Sequence, residues 1–125
     1  MRTVFKEIIM QSLEWLSDYE FQKVAWFDND QGLWYDYTEN VEDIFECYAL
    51  GDAFAAGEIV FDKETDQALR DLEKTCDALG YKWGGKEHIL LESEGMAIVR
   101  EMAKKCLKMI AASDGSQSTV KYYKP

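Results

Sequence analysis

Phe5, Ile8, Ile9, Leu13 and Leu16 recur at spacings of three and four, so residues 3–16 are predicted to form an amphipathic helix with one apolar stripe. Ser17 and Glu20 in the following SDYE have the form of a capping box, in which hydroxyl and carboxylate cap each other's free amides. A break and a short helix through Trp26 follow from that reading, holding Tyr19, Phe21, Val24 and Trp26. The same aromatic and β-branched residues also suit a strand at 21–27. DNDQG at 28–32 is turn-forming, and 33–37 is too short to classify. Thr38 is placed as an N-cap, with Glu39, Glu42 and Asp43 near the positive end of a helix over 39–50. Val41, Ile44, Phe45 and Tyr48 supply its inner stripe; Gly51 interrupts it, 52–56 form a turn and Gly57 stops it.

The second half is more regular. Asp62 opens a helix whose Leu69, Leu72, Cys76 and Leu79 face inward, and Gly80 stands where a terminating glycine belongs. Asp66 and Arg70 are read as a solvated pair on its outer face. Residues 81–86, with Trp83, Gly84 and Gly85, make a loop, and Ser93 caps a last helix over 94–112. That helix turns Val99, Met102, Cys106, Met109 and Ile110 inward and carries Lys104, Lys105 and Lys108 near its C-terminus; Gly115 ends it. The expected architecture is all-α, a compact bundle of four to five helices with short loops. The alternative is α+β, with a short strand or hairpin near 21–37. A single domain spans 1–115, with 116–125 as a flexible tail.

The chain's 125 residues suffice for one core, and 47% hydrophobic residues mark a packed chain rather than a disordered one. No apolar run approaches a membrane span. MRTVFKEIIM has Glu7 inside its apolar part and no small-residue cleavage site, so it does not read as a signal peptide, and a cytoplasmic location is expected. Cys47, Cys76 and Cys106 are odd in number and widely spaced, which suits reduced, buried thiols. His88 is the single histidine, and neither a CxxC nor an HxxxH pattern is present, which leaves no basis for a metal site. Nucleophile and phosphate-loop motifs are also missing, and Asp28-x-Asp30 does not continue into a calcium loop. The chain is therefore read as a non-enzyme without catalytic residues or cofactor.

Charge changes the picture. The net charge is −10. Residues 14–58 hold twelve acids and one base, Lys23, so the whole imbalance lies in that segment. Within it, WFDNDQGLWYDYTENVEDIFE (26–46) has seven acids, six aromatics and neither lysine nor arginine. Tyr and Trp make binding hot spots, and surrounding carboxylates steer and hold a cationic partner. Asp28, Asp30, Trp34, Tyr35, Asp36, Tyr37, Glu39, Glu42, Asp43 and Glu46 are the candidate partner-binding residues. The plain alternative is that Trp26, Phe45 and Tyr48 are core and the acids a solvated face. The lack of interspersed lysine favours binding, because faces that serve solubility alone mix both signs. An anionic surface repels nucleic acid and anionic membranes, so neither is an expected partner.

SDYEFQKVAWFDND followed by VEDIFECYALGDAF, within about residues 12–79, resembles the small acidic immunity proteins of bacterial polymorphic-toxin and contact-dependent inhibition systems. That resemblance implies a protein that binds the toxic domain of its cognate effector and covers the active site. Many such toxins are nucleases with basic clefts, which an acidic face would fill. An alternative of the same physics is a phage-encoded inhibitor or DNA mimic, of the anti-CRISPR or anti-restriction type, aimed at a host nucleic-acid-binding protein.

Overall fold

The computed structural model of the protein describes residues 4–27, 35–46, 50–113 and 120–121. Seven helices are found among them: α1 (Lys6–Leu16), α2 (Tyr19–Phe27), α3 (Tyr37–Phe45), α4 (Leu50–Ala55), α5 (Lys63–Leu79), α6 (Glu87–Leu91) and α7 (Glu94–Ala112). The all-α expectation holds, with seven helices among the described residues where four to five were expected, the short α4 and α6 being the additions. The segment open to a strand reading at 21–27 is helical. Two residues at each end add a small parallel ladder, β1 (Val4–Phe5) with β2 (Val120–Lys121), pairing Val4 with Val120 and Phe5 with Lys121. Val120 and Lys121 fall within the segment read as a flexible tail, and the rest of that segment lies outside the described residues.

α1 packs against α3 on one side and α7 on the other; α5 packs along α7 and returns to touch α3. The four helices enclose Ile9, Leu13 and Leu16 of α1, Val41, Ile44 and Phe45 of α3, Leu69, Leu72 and Cys76 of α5, and Val99, Ala103, Cys106 and Ile110 of α7. Each set recurs at three and four residues, as an amphipathic stripe must. Cys76 and Cys106 are free, buried thiols, and burial pushes them up to about 12 and about 11. Cys47 and Tyr48 lie outside the described residues. No described helix is long and apolar enough to cross a membrane.

Several caps differ from expectation by one or two residues. Asp18, not Ser17, accepts from the backbone of α2, at Phe21 N, while the Ser17 hydroxyl donates back to the Glu14 carbonyl. Asp36, not Thr38, caps α3 by accepting from Glu39 N at 2.8 Å. Burial of Tyr37 draws the helix start two residues earlier, and Thr38 Oγ1 donates instead to the Tyr81 carbonyl. Asp62 and Ser93 cap α5 and α7 as expected, accepting from Thr65 N and Met96 N. Gly80 takes a positive φ of 85° at the end of α5, a conformation that favours glycine.

The predicted helix over 39–50 divides. α3 stops at Phe45, and 50–55, read partly as a turn, is the separate α4. Gly51 does not break a helix; it lies inside α4, where an added Cβ would stand 2.6 Å from the Phe45 carbonyl oxygen. Its role is close approach of two backbones.

Asp66 is the larger correction. It is buried, not solvated, and its two carboxylate oxygens accept from Val60 N and Phe61 N at 2.8 and 3.0 Å. Arg70 leaves it and lies over the Phe54 ring, 4.7 Å from the centroid. A buried clasp ties α2 to the far helices. Gln22 Nε2 donates to the Trp15 and Leu16 carbonyls while its Oε1 accepts from Arg100, whose second nitrogen donates to the Leu91 carbonyl.

Candidate protein interface

Of the ten candidate partner-binding residues, Asp28, Asp30 and Trp34 lie outside the described residues. The remaining seven separate into structural and free groups. Tyr35 is half-buried, its ring edge-on to Trp15 at 5.3 Å and tilted to Phe21 at 6.2 Å. Its hydroxyl donates to Asp43 Oδ2 at 2.5 Å. Burial first, and that carboxylate second, push the phenol well above its ordinary value.

Tyr37 is a correction, because at 1% exposure it is core and unavailable to a partner. Its hydroxyl donates to the Cys76 carbonyl at 3.0 Å, and its ring stacks on Tyr81 and meets Trp26 edge-on. Asp36 is exposed but engaged as the α3 cap. Glu39 and Glu42 on α3, and Glu46 at its C-terminal cap, are exposed. The Glu39 carboxyl is raised by burial and then by Asp36, Asp43 and Glu42, all of its own sign.

The free acids of α3 meet others from α5. Thr38, Val41, Glu42, Phe45 and Glu46 line one wall of a groove of about 170 Å³ whose other wall is Glu73, Asp77 and Tyr81. Val41 and Phe45 are buried and give it an apolar floor; its rim holds four carboxylates. Glu73 is half-buried, and its carboxyl is raised by burial and then by Asp77 and Glu46. Tyr81 is 36% exposed and is held by a hydroxyl bond to Asp77 Oδ1. Past Thr38 and Tyr81 a second hollow of about 280 Å³ opens between Asp36, Tyr37, Trp83, Gly84 and Glu87. Among the described residues no lysine or arginine lines either one.

A larger hollow of about 540 Å³ lies between the α1–α2 corner and α7, lined by Glu14, Asp18, Glu20, Arg100, Glu101 and Lys104 among others. Its signs are mixed, and its Arg100 already bonds Gln22 and Leu91, so size does not make it the better candidate. Among the described residues no group of three or more His, Cys, Asp or Glu is arranged to hold a metal ion.

Glu73, Asp77, Tyr81, Trp83 and Glu87 were not among the candidates from sequence, because they lie where acids and bases balance overall. The available signal was Glu73 and Asp77 themselves, like charges one helical turn apart, an arrangement that weakens a helix. Neither a protein-family model, nor a curated protein, nor a solved structure matches this chain.

Proposed function

We propose that this chain is a non-catalytic, acidic protein-binding inhibitor, an immunity protein that acts in the bacterial cytoplasm by covering the active site of a basic toxin domain. The observation that carries the reading is the groove between α3 and α5, where carboxylates from both sides face one space with no lining cation among the described residues. A surface kept only for solubility gains nothing from gathering like charges in a concavity, whereas a binding surface gains steering and complementarity. A toxin nuclease, whose cleft must attract phosphate, offers the opposite charge.

The test is protection by this chain in cells that express, one at a time, candidate toxin domains with basic clefts, a neighbouring gene's product being the first to try. Glu39→Lys, Glu42→Lys and Glu46→Lys together reverse exposed charge while sparing the capping Asp36 and the bonded Asp43. The triple variant is expected to keep its helical circular dichroism and lose protection. Full protection by a folded triple variant rejects the interface. Binding by the parent chain is expected to slow steeply with added salt through its association rate.

A further inference from the structure

We infer that the groove between α3 and α5 takes an arginine side chain from a partner protein, with Tyr81 as the aromatic wall against which the guanidinium lies. This deepens the inhibitor reading and rests on it for the identity of the partner as a protein. The groove's size is the first reason: about 170 Å³ between two helices admits one extended side chain and not a helix or a nucleotide. Chemistry of the walls is the second. Val41 and Phe45 form a floor suited to the methylene stem, while Glu42, Glu46, Glu73 and Asp77 stand at the rim. Long cationic side chains lay an apolar stem along such floors and keep the charged head among acceptors.

Tyr81 is the reason independent of charge. It is one of the few large hydrophobic side chains exposed among the described residues, at 36%, and it lines both hollows. Its ring is fixed from behind by stacking on buried Tyr37 at 5.7 Å and 23°, and at its tip by Asp77. A rigid, partly open ring beside carboxylates selects a planar guanidinium over an ammonium, since only the former both stacks and bonds two oxygens side by side. In the free protein, Glu73 bears the mutual repulsion of Asp77 and Glu46, which a cation in the groove relieves.

The experiment is an amide NMR titration of the whole chain with N-acetyl-arginine methylamide, beside the lysine analogue and sodium chloride at equal ionic strength. The arginine probe is expected to give saturable shifts centred on residues 41–46, 73–77 and 81. The lysine analogue should be weaker, and Glu46→Gln with Glu73→Gln should weaken the arginine probe by about tenfold. Shifts spread evenly over all exposed carboxylates, equal response to both analogues, or no response at the groove each overturn the inference. If the probe fails but charge reversal on α3 still abolishes protection, the arginine pocket falls and the inhibitor reading stands. Should the probe bind while the triple variant still protects, the reverse holds.

Discussion

The Tyr35 hydroxyl donates to the Asp43 carboxylate at 2.5 Å, joining an aromatic and an acid that the sequence places eight residues apart. Tyr81 with Asp77 and Tyr19 with Glu92 repeat the pairing. Acids and aromatics crowd together here in part because phenols supply the donors that lysines supply elsewhere. Between described residues an ion pair runs from Lys104 to Glu101, on α7 and away from the acidic groove. A phenol neutralises no charge, so these bonds leave the negative surface intact.

Tyr35→Phe keeps the ring contacts with Trp15 and Phe21 and removes the hydroxyl that bonds Asp43 and Ser12. It is expected to cost about 1 kcal/mol in urea unfolding. In the parent chain, the phenols of Tyr35 and Tyr37 are both raised above the ordinary 10.0, chiefly by burial. A raised phenol contributes stability that is complete below pH 10 and declines above it, because the unfolded chain ionises first. The unfolding midpoint should therefore fall as pH rises past 10, and Tyr35→Phe should flatten that fall.

Glu73 presents the opposite balance. Its carboxyl is raised from the ordinary 4.5 by burial, Asp77 and Glu46, so its contribution is favourable below pH 4.5 and lost as pH rises through the raised value. Glu73→Gln is expected to stabilise the protein at pH 7 by less than about 1 kcal/mol, because water screens a half-buried group. The gain should vanish near pH 4, and urea midpoints at the two pH values measure it.

Asp66→Ala removes the carboxylate that accepts from both Val60 N and Phe61 N inside the core. Taking a charged acceptor from two buried amides should cost about 3 kcal/mol. Asp66→Asn keeps the shape but turns a donor toward one amide, and should recover at most part of the loss. Equal stability of all three proteins by calorimetry would contradict the bonding described.

Gly51→Ala sets two effects against each other. Alanine improves an exposed helix by about 1 kcal/mol, while a clash with packed neighbours costs about 1–3 kcal/mol. The Phe45 carbonyl, 2.6 Å from the new methyl, is backbone and cannot rotate away. Net destabilisation of about 1 kcal/mol is expected, with a shift of the Phe45 and Glu46 amide resonances as the local signature.

Asp62, Ser93 and Gly80 were legible because capping and termination depend on a few adjacent atoms. The inner stripes of α1, α5 and α7 were legible for a similar reason, since helical periodicity displays them whatever they pack against. Errors arose where a distant contact overruled a local preference. Thr38 lost the cap to Asp36 because Tyr37 is buried against Trp26, Tyr81 and the Cys76 carbonyl. Asp66 looked like half of an exposed pair until the chain at 60–61 turned two amides toward it.

By itself, then, the sequence determined an all-α chain, the bounds of its two long helices α5 and α7, and the confinement of its negative charge to one segment, because these follow from periodicity, capping and composition. Only the tertiary structure decided that Tyr37 is core, that Tyr35 serves Asp43, and that Glu42 and Glu46 share a groove with Glu73 and Asp77. The first and last of these join residues far apart in sequence through the way α5 closes against α3, and the second follows from the packing of Tyr35 on Trp15 and Phe21. No short-range rule encodes which faces of two helices will meet.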